Sequence, residues 1–131
     1  MTNGPEGALM GRFVILEHRW NGVHWDLMLE SDGVLRTWAI DEAIVADKNL
    51  PARALADHRL HYLEYEGEIS GGRGSVHRWD SGSYEPRLWT PELIRFRWEG
   101  GQVEGEAVLF RVETGVAAEP FSWFFRFGNL D

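Results

Sequence analysis

Strong turn formers punctuate this chain at intervals too short for crossover helices. Asn21-Gly22, Asp32-Gly33, Gly71-Gly72-Arg73-Gly74, Ser81-Gly82 and Gly100-Gly101 each separate runs rich in β-branched and aromatic residues. That punctuation favours antiparallel hairpins. Runs at 13–16, 23–29, 34–40, 60–65, 75–79, 93–98, 103–112 and 121–127 predict about eight strands. The fold class is therefore all-β, a small closed or partly open antiparallel barrel. Only 41–57 has helical character, and Pro51 restricts it to short helical turns. Residues 1–11 are small, polar and Gly/Pro-containing and predict a flexible arm, leaving 12–131 as one domain.

Composition narrows the function. The chain has no cysteine, which excludes disulfides, thiolate zinc sites and cysteine nucleophiles, so any metal must sit on histidine and carboxylate ligands. No apolar run approaches the roughly 18 residues of a membrane helix, and no basic and apolar leader opens the sequence, so a cytoplasmic monomer is expected. Thirteen basic against 21 acidic residues give a net charge of −8, which opposes sequence-independent binding to duplex DNA. Lys48 is the single lysine among the basic residues, and the remaining arginines are suited to a planar grip on phosphate. Phe121, Trp123, Phe125 and Phe127 share one strand parity and read as barrel core before they read as a base-stacking platform.

The chemistry concentrates between Leu16 and Glu30. In a strand His24, Asp26 and Met28 face one way while Trp25, Leu27 and Leu29 face the other, so an imidazole and a carboxylate can converge on one cation. Manganese, iron or zinc all suit that donor set, and His18 could complete a set of three. A two-residue hairpin at Asn21-Gly22 would pair His18 with Trp25 and send it to the opposite face. A looser connection frees it to fold back over the barrel mouth. The competing reading is a surface hydrogen-bonded His24–Asp26 pair. A second cluster, Asp57 to Tyr62, offers His58 as a proton donor and Tyr62 as a phenol. The Gly-rich run 69–75 is a hairpin turn whose amides could also approach an anion.

Together these clusters resemble the 3′-phosphoesterase domain of bacterial DNA ligase D and its free-standing bacterial and archaeal relatives. That family's pattern F-V-x-x-x-H, five residues, H-x-D-x-R-L-E is similar to Phe13 to His18 followed by His24 to Glu30. Its D-G-V-L-x-S-W-A resembles Asp32 to Ala39, and its E-D-H-P-L-x-Y-x-x-F-E-G resembles Ala56 to Gly67. Its long glycine-containing motif ending in W-D-x-G-x-W-E-P is similar to a shortened run from Ile69 through Trp79-Asp80 to Tyr84-Glu85-Pro86. The resemblance implies a barrel that binds manganese or a similar divalent ion, zinc or another transition metal included. It implies removal of a 3′-terminal ribonucleoside or 3′-phosphate from a DNA primer strand, beside a ligase or polymerase of end joining. His18, His24 and Asp26 match the family's metal ligands, and His58 and Tyr62 match the residues that engage the scissile phosphate.

The chain departs from the pattern at Met28, which stands where the family has a phosphate-gripping arginine. Losing a bidentate guanidinium costs transition-state stabilisation unless another group replaces it. Arg19, Arg59 and Arg73 lie in the motif loops and are the candidate replacements. A weakened or non-catalytic relative that serves end joining as a binding module is the alternative.

Overall fold

The computed structural model describes residues 10–130. Most of the expected arm over 1–11 lies outside them, and Gly11 already belongs to a strand. The strands are β1 (Gly11–Arg19), β2 (Val23–Ser31), β3 (Val34–Ile40), β4 (Leu50–His58), β5 (Gly67–Glu68), β6 (Ser75–Trp89), β7 (Leu93–Gly100), β8 (Glu104–Glu113) and β9 (Phe121–Phe127). One turn of 3-10 helix, Leu60–Leu63, stands between β4 and β5. Every pairing is antiparallel, in the order β1-β2-β3-β4-β9-β8-β7-β6, and β6 returns to β1 to close an eight-stranded barrel with β5 added on β6. Among the described residues no helix is long and apolar enough to cross a membrane.

Alternation along the strands builds two apolar layers. Phe13, Ile15, Leu27, Leu29, Trp38 and Ile40 point into the barrel and meet Phe96, Trp98, Leu109 and Phe125 from the opposite wall. Each such large side chain contributes about 2 kcal/mol of burial, and together they make the barrel a filled core. Phe125 and Phe127 lie in that core and Trp123 packs against it, as their shared parity predicts. Phe121 does not: it is exposed, under the guanidinium of Arg111 at 3.8 Å. Residues of the other parity, Val14, Leu16, Met28, Leu35 and Val76, form a smaller cluster on the outer face of the barrel, covered by Leu63 and by Tyr62, Tyr65 and Ile69.

Three expectations are corrected. The 41–57 segment contains no helix, and its second half is β4, because barrel closure overrides the helix propensity of Leu50–His58. The predicted strand at 60–65 is instead the 3-10 turn that lids the outer cluster. Ser81-Gly82 is not a turn but lies inside the 15-residue β6, where a Cβ on Gly82 would stand 2.0 Å from the Glu99 carbonyl. That glycine serves close strand approach.

Candidate metal centre

A three-residue turn, Trp20 to Gly22, joins β1 to β2. Asn21 takes φ 54° and Gly22 φ 117°, and the Trp20 amide donates to the Gly22 carbonyl at 2.9 Å. The extra turn residue shifts the register by one, so His18 pairs with His24 and Leu16 with Asp26. The two-residue hairpin that would have separated the histidines does not form. His18, His24 and Asp26 therefore share the outer face, opposite in parity to the lumen-facing Ile15 and Leu27. The site lies on that face beside the hairpin tip, not over the barrel mouth.

One ligand atom from each of the three residues falls within 4.8 Å of the others. Asp26 is 4% exposed. Its Oδ1 is buried and unpartnered apart from the contact with His24 Nε2 at 3.0 Å. His18 Nε2 lies 2.8 Å from the Arg73 carbonyl and must donate to it, because a carbonyl only accepts. In the neutral imidazole this leaves the lone pair on Nδ1, which faces Asp26 Oδ2 at 3.5 Å. Nδ1 and the carboxylate oxygen thus present lone pairs to one point that a cation could occupy. A ring nitrogen fixed by a carbonyl is also the usual support of a metal-binding histidine. The donor set therefore fits a divalent ion.

The glycine-rich turn supplies that support. Gly74 takes φ 78°, and a Cβ there would stand 1.9 Å from the Arg19 carbonyl. Only glycine lets the turn press against the hairpin and present the Arg73 carbonyl to His18. The hydrogen-bonding contact with Asp26 raises His24 above the ordinary histidine value. Asp26's charge adds to this, while burial and the Arg53 charge oppose it.

An open pocket of about 470 Å³ joins the cluster to β4, where Arg53, Leu55 and His58 complete its lining with Trp20 and Asp41. His58 Nδ1 lies 2.9 Å from the Ala56 carbonyl and donates to it, which leaves Nε2 for a ligand. Tyr62 meets the His58 ring edge-on at 5.6 Å but does not line the pocket itself. None of the three candidate arginines enters with its guanidinium. Arg19 pairs with Glu17 at 2.8 Å, Arg73 bonds to the Ser70 carbonyl, and Arg59 is an exposed residue preceding the 3-10 turn. Met28, 1% exposed, is sealed beneath the 3-10 turn. The arginine that does line the pocket is Arg53, which sequence reasoning missed as a site residue.

A family model described as the DNA Ligase D 3′-phosphoesterase domain matches residues 16–111. The chain belongs to that family. Its relatives include the multifunctional non-homologous end joining DNA repair protein LigD of Mycobacterium tuberculosis, 36% identical over 109 residues, or 76% of this chain and 14% of that protein. The LigD of Mycolicibacterium smegmatis is 40% identical over 86 residues, covering 62% of this chain and 11% of the relative. The LigD of Pseudomonas aeruginosa is 30% identical over 124 residues, covering 86% and 14%. The chain thus spans about one-seventh of the length of relatives that are named for end joining.

Proposed function

We propose that this chain is a metal-dependent phosphoesterase that removes a 3′-terminal ribonucleoside or 3′-phosphate from DNA ends in end-joining repair, acting in the cytoplasm beside a ligase or polymerase. The observation that carries the reading is the convergence of His18, His24 and Asp26 around a buried, otherwise unpartnered carboxylate oxygen. Manganese suits two imidazoles and a carboxylate, and zinc is the competitor. When bound, the ion supplies Lewis-acid polarisation of a phosphoryl oxygen.

The chain's own residues do the rest. The Arg73 carbonyl fixes the His18 ring with Nδ1 toward Asp26. Asp26 is the most buried of the three candidate ligands. His58, anchored through Nδ1, holds or delivers a proton at Nε2 for the leaving oxygen. Tyr62 packs between His58 and the outer apolar cluster, which fixes the angle of that imidazole.

The test is trimming of a labelled primer-template that ends in one ribonucleotide or a 3′-phosphate, with and without manganese. Cleavage that requires the metal and disappears in His24→Ala is expected. Burial of Met28 in place of an arginine favours a second reading, a binding module without turnover. Stoichiometric metal binding with an uncut primer would establish that reading and remove the first.

A further inference from the structure

One arginine, Arg53, lines the pocket beside His18, His24 and Asp26. Asp26, Ala39 and Arg53 stand side by side in one row across β2, β3 and β4. Two strand spacings separate Asp26 from Arg53, about 10 Å between backbones. The residue between them is alanine, so nothing on β3 blocks a long side chain from crossing toward the metal cluster. Arg53 uses that space, and it lines the same pocket as His24, Asp26 and His58. Its present partner is Asp41, immediately after β3, gripped by Nε at 3.1 Å and by Nη2 at 3.0 Å. Nη1 carries no partner among the described residues. Both members of the pair are about half exposed, so neither is locked in by burial.

We propose that Arg53 is the phosphate-gripping guanidinium of this chain, and that Asp41 is its resident counter-ion, displaced by an incoming terminal phosphate. The inference rests on the reading of the pocket as a phosphoester site. A carboxylate and a phosphate offer the same pair of acceptor oxygens to the guanidinium fork, so one exchanges for the other without rebuilding the arginine's geometry. The phosphate's second charge favours the exchange, and the metal cluster next to it favours it further. Asp41 thereby acts as a brake. It holds Arg53 through its carboxylate until substrate arrives, and it repels anions that the pocket cannot hold at several points. The arrangement differs from an arginine on β2 two residues past Asp26, because here the grip approaches from the far side of the pocket on β4.

The experiment follows the arginine Nε–H and histidine ring signals of the whole chain by NMR while thymidine 3′-monophosphate is added in EDTA. Thymidine serves as the control, and Arg53→Met, Arg53→Lys and Asp41→Asn are titrated alongside. The Arg53 signal should move saturably with the nucleotide and stay still with thymidine. Arg53→Met should weaken binding about tenfold or more, and Arg53→Lys should fall in between. Asp41→Asn should tighten binding several-fold although it removes an ion pair, and that gain should vanish when Arg53→Met is added, which plain loss of a repelling carboxylate would not produce. A stationary Arg53 signal while His24 and His58 shift would overturn the inference and leave the phosphoesterase reading standing. No movement anywhere in the pocket would overturn both.

Discussion

At the residue scale the decisive feature is a tautomer. The Arg73 carbonyl holds the proton of His18 on Nε2, and Nδ1 is left to look at a carboxylate. His24 meets the same carboxylate at 3.0 Å, and that hydrogen-bonding contact favours its proton. The sign of the pH dependence follows. A histidine raised above its unfolded value stabilises the metal-free fold fully below about pH 6.5, and that contribution is lost as pH rises through the raised value. Metal binding runs the other way, because an imidazolium cannot ligate, so affinity climbs through the same interval and then levels off. Calorimetric titrations of manganese across pH 6–8, beside melting curves of the metal-free protein, should show these opposite slopes. His24→Gln should flatten the stability slope. Met28 gives a second prediction. It is enclosed with Val14, Leu16, Leu35 and Leu63, so Met28→Arg buries a charge without a partner and should lower the melting temperature by about 10 °C. A gain of activity without that loss would mean the 3-10 turn opens over it.

At the scale of elements, much of the barrel was legible and the instructive failures share a cause. Runs of β-branched and aromatic residues between turn formers located β1, β2, β3, β7, β8 and β9, since each has large apolar residues on the lumen parity. β4 escaped because its lumen-facing positions include Ala52, a small residue that carries little periodic signal, and because its ladder to β9 covers only Leu50–Ala52. Its strand state comes from neighbours far away in sequence. Arg53 escaped with it: whether that residue shares a row with Asp26 depends on the β3–β4 register, which no local pattern encodes. His24 and Asp26 were readable from parity alone, whereas His18 required the turn length between β1 and β2. Another long-range element is Asp80 on β6, 6% exposed, which accepts the amides of Ser81, Gly101, Gln102 and Val103 at 2.8–3.1 Å and so ties β6 to the β7–β8 turn. Asp80→Ala leaves those amides without their charged acceptor and should cost about 3 kcal/mol of unfolding free energy. Denaturant unfolding measures it, and manganese affinity should be unchanged because the carboxylate lies outside the pocket.

At the scale of the whole molecule, a chain with net charge −8 carries a local cluster, His18, His24 and Asp26, that could hold a cation, with Arg53 lining the same pocket. Such a charge repels the length of a duplex, so the proposed reading predicts recognition of a terminus through the ion and the Arg53 guanidinium. Closure of the barrel through the β6–β1 ladder places the glycine-rich turn against the β1–β2 hairpin, and β4 brings His58 and Arg53 to the same outer face. The grouping of these side chains is thus a consequence of topology, and the proposed division between metal ligands and substrate-facing groups rests on it. It is tested by recording manganese binding and primer trimming on the same samples of wild type, His24→Ala, Asp26→Ala and His58→Ala. One ion per chain should bind to wild type and to His58→Ala and be lost from the other two, with trimming confined to wild type. Unchanged manganese binding by His24→Ala and Asp26→Ala would contradict the metal centre described above.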